Sequence, residues 1–227
     1  MISKAKIKLV KSLEQKKHRS SEGLFVAEGP KVVGDLSKIC PPVEVFEGED
    51  ARKVSFLQHP QGIVALFPTT IFDHITPQSD LRLMLDGVQD PGNLGTIIRI
   101  ADWFGIDHIY CSHETADVFN PKVVQATMGS IARVKVEYAD LNAVLDALPD
   151  DYPVYGTLLD GNNIYKEELS QHGIIVMGNE GNGITDGIRR RVNRRLLIPS
   201  FPSERPTAES LNVAIATAIV VGEFRRR

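Results

Sequence analysis

A chain of 227 residues with 42% hydrophobic and 24% charged side chains has material for one large or two modest globular units, and is too mixed in polarity for a disordered or fibrous protein. No apolar run approaches the ~18 residues that cross a bilayer. The first 20 residues lack a signal peptide's apolar block, and Cys40 and Cys111 have no metal-ligand spacing. A cytoplasmic protein without a metal site is expected. The net charge of −3 hides a pattern: residues 1–38 carry +5, residues 189–227 carry +6, and the segment between carries −14. The basic ends read either as solvated faces or as contacts for a polyanion such as RNA.

In chain order, Leu9 and Leu13 on one face predict an amphipathic helix over 3–17. "GLFVAEG" (23–29) predicts a strand, and Pro30 opens a short helix through Val32 and Val33. "VEVFEG" and "GIVALF" predict two further strands, with a helix over "ARKVSFLQ" between them. "DHITPQSD" (73–80) is polar and marks a boundary, giving units at 1–75 and 81–227 joined by a linker at 76–80. From Leu81 short apolar runs, "LRLML", "HIYC", "VKVEY", "PVYGTLL", "GIIVMG" and "RLLIP", alternate with helical segments. That pattern predicts an α/β fold, a parallel sheet with helices on both faces. Ligands in such sheets bind beyond the carboxyl ends of strands, which directs attention to three post-strand segments.

The first, "DGVQDPGNLGTIIRIADWFG" (86–105), has a turn at Asp90-Pro91-Gly92 and Asn93 as candidate N-cap. Ile97, Ile100, Ala101 and Phe104 should face the core, with Gly105 ending the helix. Arg99 interrupts the apolar run; it either pairs with Asp102 on the surface or faces an anionic substrate. "NPKVVQATMGSIARV" (120–134) starts with Asn120 as cap and Pro121 at the first helical position, and mid-helix Gly129 suggests close packing. The second segment, "GIIVMGNEGNGI" (173–184), is neither a Rossmann fingerprint nor a P-loop. Its glycines would let backbone approach a ligand, and Glu180 favours a cationic or donor-rich one over phosphate. A plain tight turn is the other reading. In the third, "LLIPSFPSERPTAESLNVAIATAIVVGEF" (196–224), Ser210 can cap a helix from Leu211 onward that is apolar almost all round, with Asn212 at its N-terminal end.

In this order and spacing the three segments resemble the motifs of the SpoU (TrmH) family of RNA ribose 2′-O-methyltransferases, a likeness that covers residues 81–227. Residues 1–75 look like the small α/β ribosomal-protein-type substrate-binding domain that often precedes it. The resemblance implies a C-terminal trefoil knot, a homodimer through the knot domain with the last helix in the interface, and S-adenosylmethionine as methyl donor. Carried over by position, Arg99, Asn93, Glu180, Ser210 and Asn212 are the implied catalytic set. Gly178, Asn179, Gly181, Gly183, Leu197, Ile198, Ser200, Leu211 and Val213 are the implied donor-binding set. Ser200 stands where methionine is common in the family, Gln125 where arginine is frequent, and the 200–210 loop is longer than usual. The implied substrate is RNA, ribosomal more than transfer RNA. The alternatives are a tRNA 2′-O-methyltransferase and a non-catalytic RNA-binding protein on the same scaffold. A nucleotide-dependent oxidoreductase is set aside for want of the glycine fingerprint.

Overall fold

The computed structural model describes residues 2–202, 208 and 210–226. The N-terminal part builds a small antiparallel sheet. Helices α1 (Lys4–Ser12) and α2 (Lys16–Glu22) lead into β1 (Leu24–Glu28), and α3 (Pro30–Ser37) follows. Next come β2 (Glu44–Glu47), α4 (Gly48–Val54) and β3 (Ile63–Pro68), in spatial order β1-β3-β2. The helix expected over 3–17 is in fact two. α1 stops at Leu13, and the carbonyls of Leu13 and Glu14 that the break frees are taken by Arg19 Nη1 at 2.8 and 2.7 Å. The helix expected over 51–58 starts three residues earlier and ends at Val54. Ser55 turns extended there because its hydroxyl and the Phe56 N–H both donate to the buried carboxylate of Glu28.

After residues 75–80 the chain alternates as the apolar runs predict. The elements are β4 (Leu81–Asp86), α5 (Pro91–Trp103), β5 (His108–Cys111), α6 (Pro121–Ala126), β6 (Lys135–Tyr138), α7 (Leu141–Asp146) and β7 (Val154–Asn163). They continue with β8 (Gly173–Gly178), α8 (Asp186–Arg189), β9 (Arg194–Leu197) and α9 (Val213–Arg226). The six strands pair in parallel in the order β6-β5-β4-β8-β7-β9. Period-two alternation sorts the strand side chains between two faces. Leu83, Leu85, Ile175 and Met177 share a core with residues of α5, α6 and α9. Met84, Ile174 and Val176 pack with Leu141, Leu145 and Ile188 under α7 and α8.

The two sheets share one apolar core. Phe25 of β1 stacks on Phe119 at a centroid distance of 4.6 Å, and Phe72 stacks on the other side at 5.3 Å. Arg19, 3% exposed, crosses the same junction to Asp117. Arg133 spans it as well, reaching Asp35 at 3.3 Å and Asp102 at 2.7 Å. The Lys38, Lys31 and Arg133 cations hold the Asp35 carboxyl well below the usual carboxylate range, against a modest opposing push from burial.

Gly129 is not inside a helix. α6 ends at Ala126, Met128 and Gly129 take positive φ, and a Cβ at Gly129 would lie 2.5 Å from Asp35 Oδ2. The close packing expected there is real, but it occurs at a chain reversal. Among the described residues no helix is long and apolar enough to cross a membrane, and no cluster of three metal-ligating side chains occurs.

Candidate active site

The three segments singled out from the sequence meet at the carboxyl end of the parallel sheet, beyond β4, β8 and β9. β4 ends at Asp86, and its buried carboxylate accepts the Thr185 N–H at 2.7 Å, closing the far end of the glycine loop. Asn179 ties the near end. Its Nδ2 donates to the Gly87 carbonyl at 2.7 Å, and its Oδ1 accepts from the N–H groups of Gly181 and Asn182. A two-way backbone bridge joins Asn179 to Gly183. A Cβ at Gly178 would lie 2.3 Å from the Gly183 carbonyl carbon, so this glycine permits the loop to fold back on its own strand.

Asp90, not Asn93, caps α5. Its Oδ1 accepts the Asn93 N–H at 2.8 Å, and Pro91 occupies the first helical position. That releases the Asn93 side chain. Its Nδ2 donates to Glu180 at 3.0 Å, and its Oδ1 accepts from Asn212 Nδ2 at 2.9 Å. Asn212 in turn accepts from the N–H groups of Ala214 and Ile215, so Asn212 caps α9, and the helix begins at Val213, not Leu211. Ser210, expected as that cap, lies exposed and two residues outside.

Glu180 is therefore the anchor of a chain of side-chain hydrogen bonds linking all three segments. Besides Asn93 it accepts from the Gln89 and Asp90 N–H groups, each at 3.3 Å. Partial burial pushes its carboxyl upward, but the bonds from Asn93 and these backbone donors outweigh it and hold the group below its ordinary value. The carboxylate points into the first segment's turn.

Arg99 sits on α5 past this clasp, exposed. Asp102, the partner a surface-pair reading requires, is taken by Arg133 through three hydrogen bonds of 2.7–3.0 Å. Among the described residues Arg99 has no hydrogen-bond or ion-pair partner. Its neighbour Gly95 is buried against α6, where a Cβ would come within 2.4 Å of Ala126 Cβ.

The remaining candidates line the ends of β8 and β9. Gly181 and Gly183 are exposed, with no atom closer than 3.6 Å to a Cβ built on either. Leu197 and Ile198 are half-buried, Val213 is buried, and Ser200 and Leu211 are exposed. This donor set, open glycine backbone beside apolar side chains, fits a ligand carrying a flat base, and the Glu180 charge expected to favour a cationic ligand is turned into the first segment instead. Among the described residues it offers a phosphate no cluster of cations. Asp86 and Asp90 were missed as functional positions. For Asp90 the signal was present, since a proline at the first helical position marks the residue before it as cap.

The fold and site define an α/β protein whose three post-strand segments are clasped together beside Arg99. A family model described as the SpoU rRNA methylase family matches residues 80–222. The chain belongs to that family. A second model, the MRM3-like substrate binding domain, matches residues 4–46. The chain is 32% identical to the 23S rRNA (guanosine(2553)-2′-O)-methyltransferase RlmP of Bacillus subtilis, over 97% of this chain and 96% of the relative. Among solved structures it resembles a TrmH-family protein from Porphyromonas gingivalis with a TM-score of 0.89 and 37% identity, covering 100% and 99% of the two chains. It also resembles an AdoMet-bound rRNA methyltransferase from Sinorhizobium meliloti, with a TM-score of 0.85, 30% identity and coverage of 100% and 96%.

Proposed function

We propose that this protein is an S-adenosylmethionine-dependent methyltransferase that modifies a ribose 2′-hydroxyl in ribosomal RNA. The observation that carries the reading is the Glu180–Asn93–Asn212 clasp, which holds all three family segments together while leaving Arg99 unpaired on the adjoining helix. Gly178, Gly181, Gly183, Leu197, Ile198 and the start of α9 would hold the donor, which would supply a methyl group on a positively charged sulfur. Asn179 contributes by shaping that loop, its side chain being bonded within it and to Gly87.

The residues of the chain then have three tasks. They align the 2′-oxygen with the methyl carbon, hold the nucleotide's phosphate, and stabilise charge on the oxygen as its proton passes to solvent water. Arg99 performs the last two as a permanent cation, since a guanidinium keeps its proton in proteins. The clasp fixes where α5 stands relative to the donor loop, and so where Arg99 stands. Ser210 closes the site from the third segment.

The remaining expectations belong to the same reading. A C-terminal trefoil knot belongs to this reading and is supported by membership of the family. The protein is a cytoplasmic homodimer through α5 and α9, which leave Trp103 85% and Ile215 54% exposed in the single chain. Residues 1–75 form an RNA-binding domain and residues 81–227 the catalytic one. The target is a guanosine, as in the name of the Bacillus relative.

The test is transfer of tritiated methyl from S-adenosylmethionine to ribosomal RNA from cells lacking the protein, with the modified ribose mapped by its resistance to alkaline cleavage. One newly protected position is expected. Transfer confined to tRNA would overturn the ribosomal assignment, and no donor binding at millimolar concentration would leave a non-catalytic RNA-binding protein.

A further inference from the structure

Between the N-terminal sheet and the first helical turn of α5 lies a cavity of about 460 Å³, outside the donor loops. Its walls come from both halves of the chain: Val26 and Glu28 of β1, Phe56 and Leu57 after α4, Pro91 of α5, and Asn120, Pro121, Lys122 and Gln125 around α6. The size lies in the range of small-ligand pockets, and the pattern matches them too, with apolar surfaces and few convergent polar groups. Pro91 is two residues from Asn93, so whatever occupies the cavity lies beside the clasp.

The polar groups are specific in kind. Glu28 is 5% exposed, and its oxygens accept one bond each, from Ser55 Oγ and the Phe56 N–H at 2.6 Å. Each oxygen keeps acceptor capacity. The carboxylate is also held rigid, because those two bonds fix the turn that carries Phe56. The Gln125 amide is half-buried and has no hydrogen-bond partner among the described residues. Lys122 stands exposed at the rim with Glu14, and its ammonium likewise has no partner among the described residues.

A buried carboxylate can only accept. Of the four RNA bases, guanine alone presents two adjacent donors on its Watson–Crick edge, N1–H and N2–H. Adenine and cytosine each set an acceptor beside their amino group, and uracil flanks its N3–H with two carbonyls. The Gln125 amide then donates to the guanine O6, and the Phe56 ring and the two proline rings supply flat apolar surface for the base. We infer that this cavity receives an unpaired guanine of the RNA substrate, read by Glu28 and Gln125, and so selects the segment presented to Asn93 and Arg99. The inference rests on the RNA-substrate reading above and adds the base and the residues that read it.

The test uses the full chain and fluorescence anisotropy with labelled ten-nucleotide uridine RNAs carrying one central guanosine, inosine or adenosine. Inosine lacks only the N2 amine. The wild-type chain is expected to bind the guanosine decamer about tenfold more tightly than the other two, the discrimination one good bidentate contact supplies. Glu28→Gln should reduce that ratio to within twofold, and Gln125→Ala, which removes only the O6 contact that guanosine and inosine share, should weaken both of those decamers about threefold while leaving affinity for the adenosine decamer unchanged. Gln125→Ala removes a side chain with no hydrogen-bond partner among the described residues, so it decides the matter if Glu28→Gln lowers the melting temperature too far to use. Equal binding of all three decamers by the wild-type chain, or guanosine and inosine affinities that Gln125→Ala leaves unchanged, overturns the base pocket and leaves the RNA reading standing. No binding of any decamer removes both.

Discussion

Glu180→Gln separates a carboxylate that organises the site from one that touches the donor. The substitution keeps the shape and removes the charge. One amide oxygen can still accept from Asn93 and Asp90, but the new NH2 faces the Gln89 N–H, donor against donor. A hydrogen bond to a charged group contributes about 1.5–3 kcal/mol in favourable geometry. Here the group is exposed and two of its three bonds are 3.3 Å long, so a total loss near 1 kcal/mol is the reasonable figure. For a chain of this size that lowers Tm by roughly 2–4 °C. The effect on transfer is larger, because small displacements of a positioning element can cost about 100-fold. Methyl transfer should fall about 10- to 100-fold, with donor affinity by calorimetry changed less than threefold. Acid titration adds a check. The folded pKa lies below the unfolded one, so this contribution is present above the ordinary carboxylate value and is lost as pH falls through the folded value. The variant should lose less stability than wild type on acidification. A more than tenfold loss of donor affinity with Tm unchanged would refute the clasp and place the carboxylate on the donor.

Arg99→Lys should reduce transfer at least 100-fold while Tm stays within about 1 °C, since the side chain is exposed and unpaired; near-wild-type transfer would remove Arg99 from the chemistry. Asp117→Ala strands the buried Arg19 and should cost about 3–5 kcal/mol of stability by denaturant unfolding, the usual loss when one partner of a buried pair is removed. Gly95→Ala places a methyl against Ala126 Cβ and the Val123 carbonyl, and should destabilise by about 1–3 kcal/mol as α5 moves off α6. If Gly95→Ala melts at or above the wild-type temperature, the helices are less tightly seated than these distances require.

The strands were legible because a parallel sheet buried on both faces demands unbroken apolar runs, and each of the six runs became a strand. Helix ends were less legible. Asp90 and Asn93 are both good caps, and Ser210 and Asn212 likewise. Which side chain caps is decided by what else is within reach, and the reach of Asn93 to Glu180 crosses 87 residues. The partner of Asp102 was misplaced for the same reason. Local spacing offered Arg99, but Arg133 arrives from 31 residues away with a two-nitrogen grip. Nothing in the periodicity placed β8 between β4 and β7, or foretold that Phe119 would fill the space between Phe25 and Phe72. The likeness to a family supplied the site residues; packing supplied their arrangement.

The clasp has a direction, and Glu180 sets it. A carboxylate only accepts, so the Asn93 amide must turn its NH2 toward position 180 and its oxygen away. That oxygen then requires a donor, which fixes the Asn212 amide with its NH2 toward Asn93 and its own oxygen toward the open N–H groups of α9. Each amide has one orientation that satisfies both neighbours. An amide at position 180 would leave one of the Gln89 and Asp90–Asn93 donor sets facing an NH2, while the α9 N–H groups would still hold the Asn212 oxygen. A lysine would reverse the order and set the Asn212 NH2 against the helix N–H groups. The glutamate within an otherwise glycine-rich loop thus helps give three distant segments a single registry, and it does so by facing the turn of the first segment.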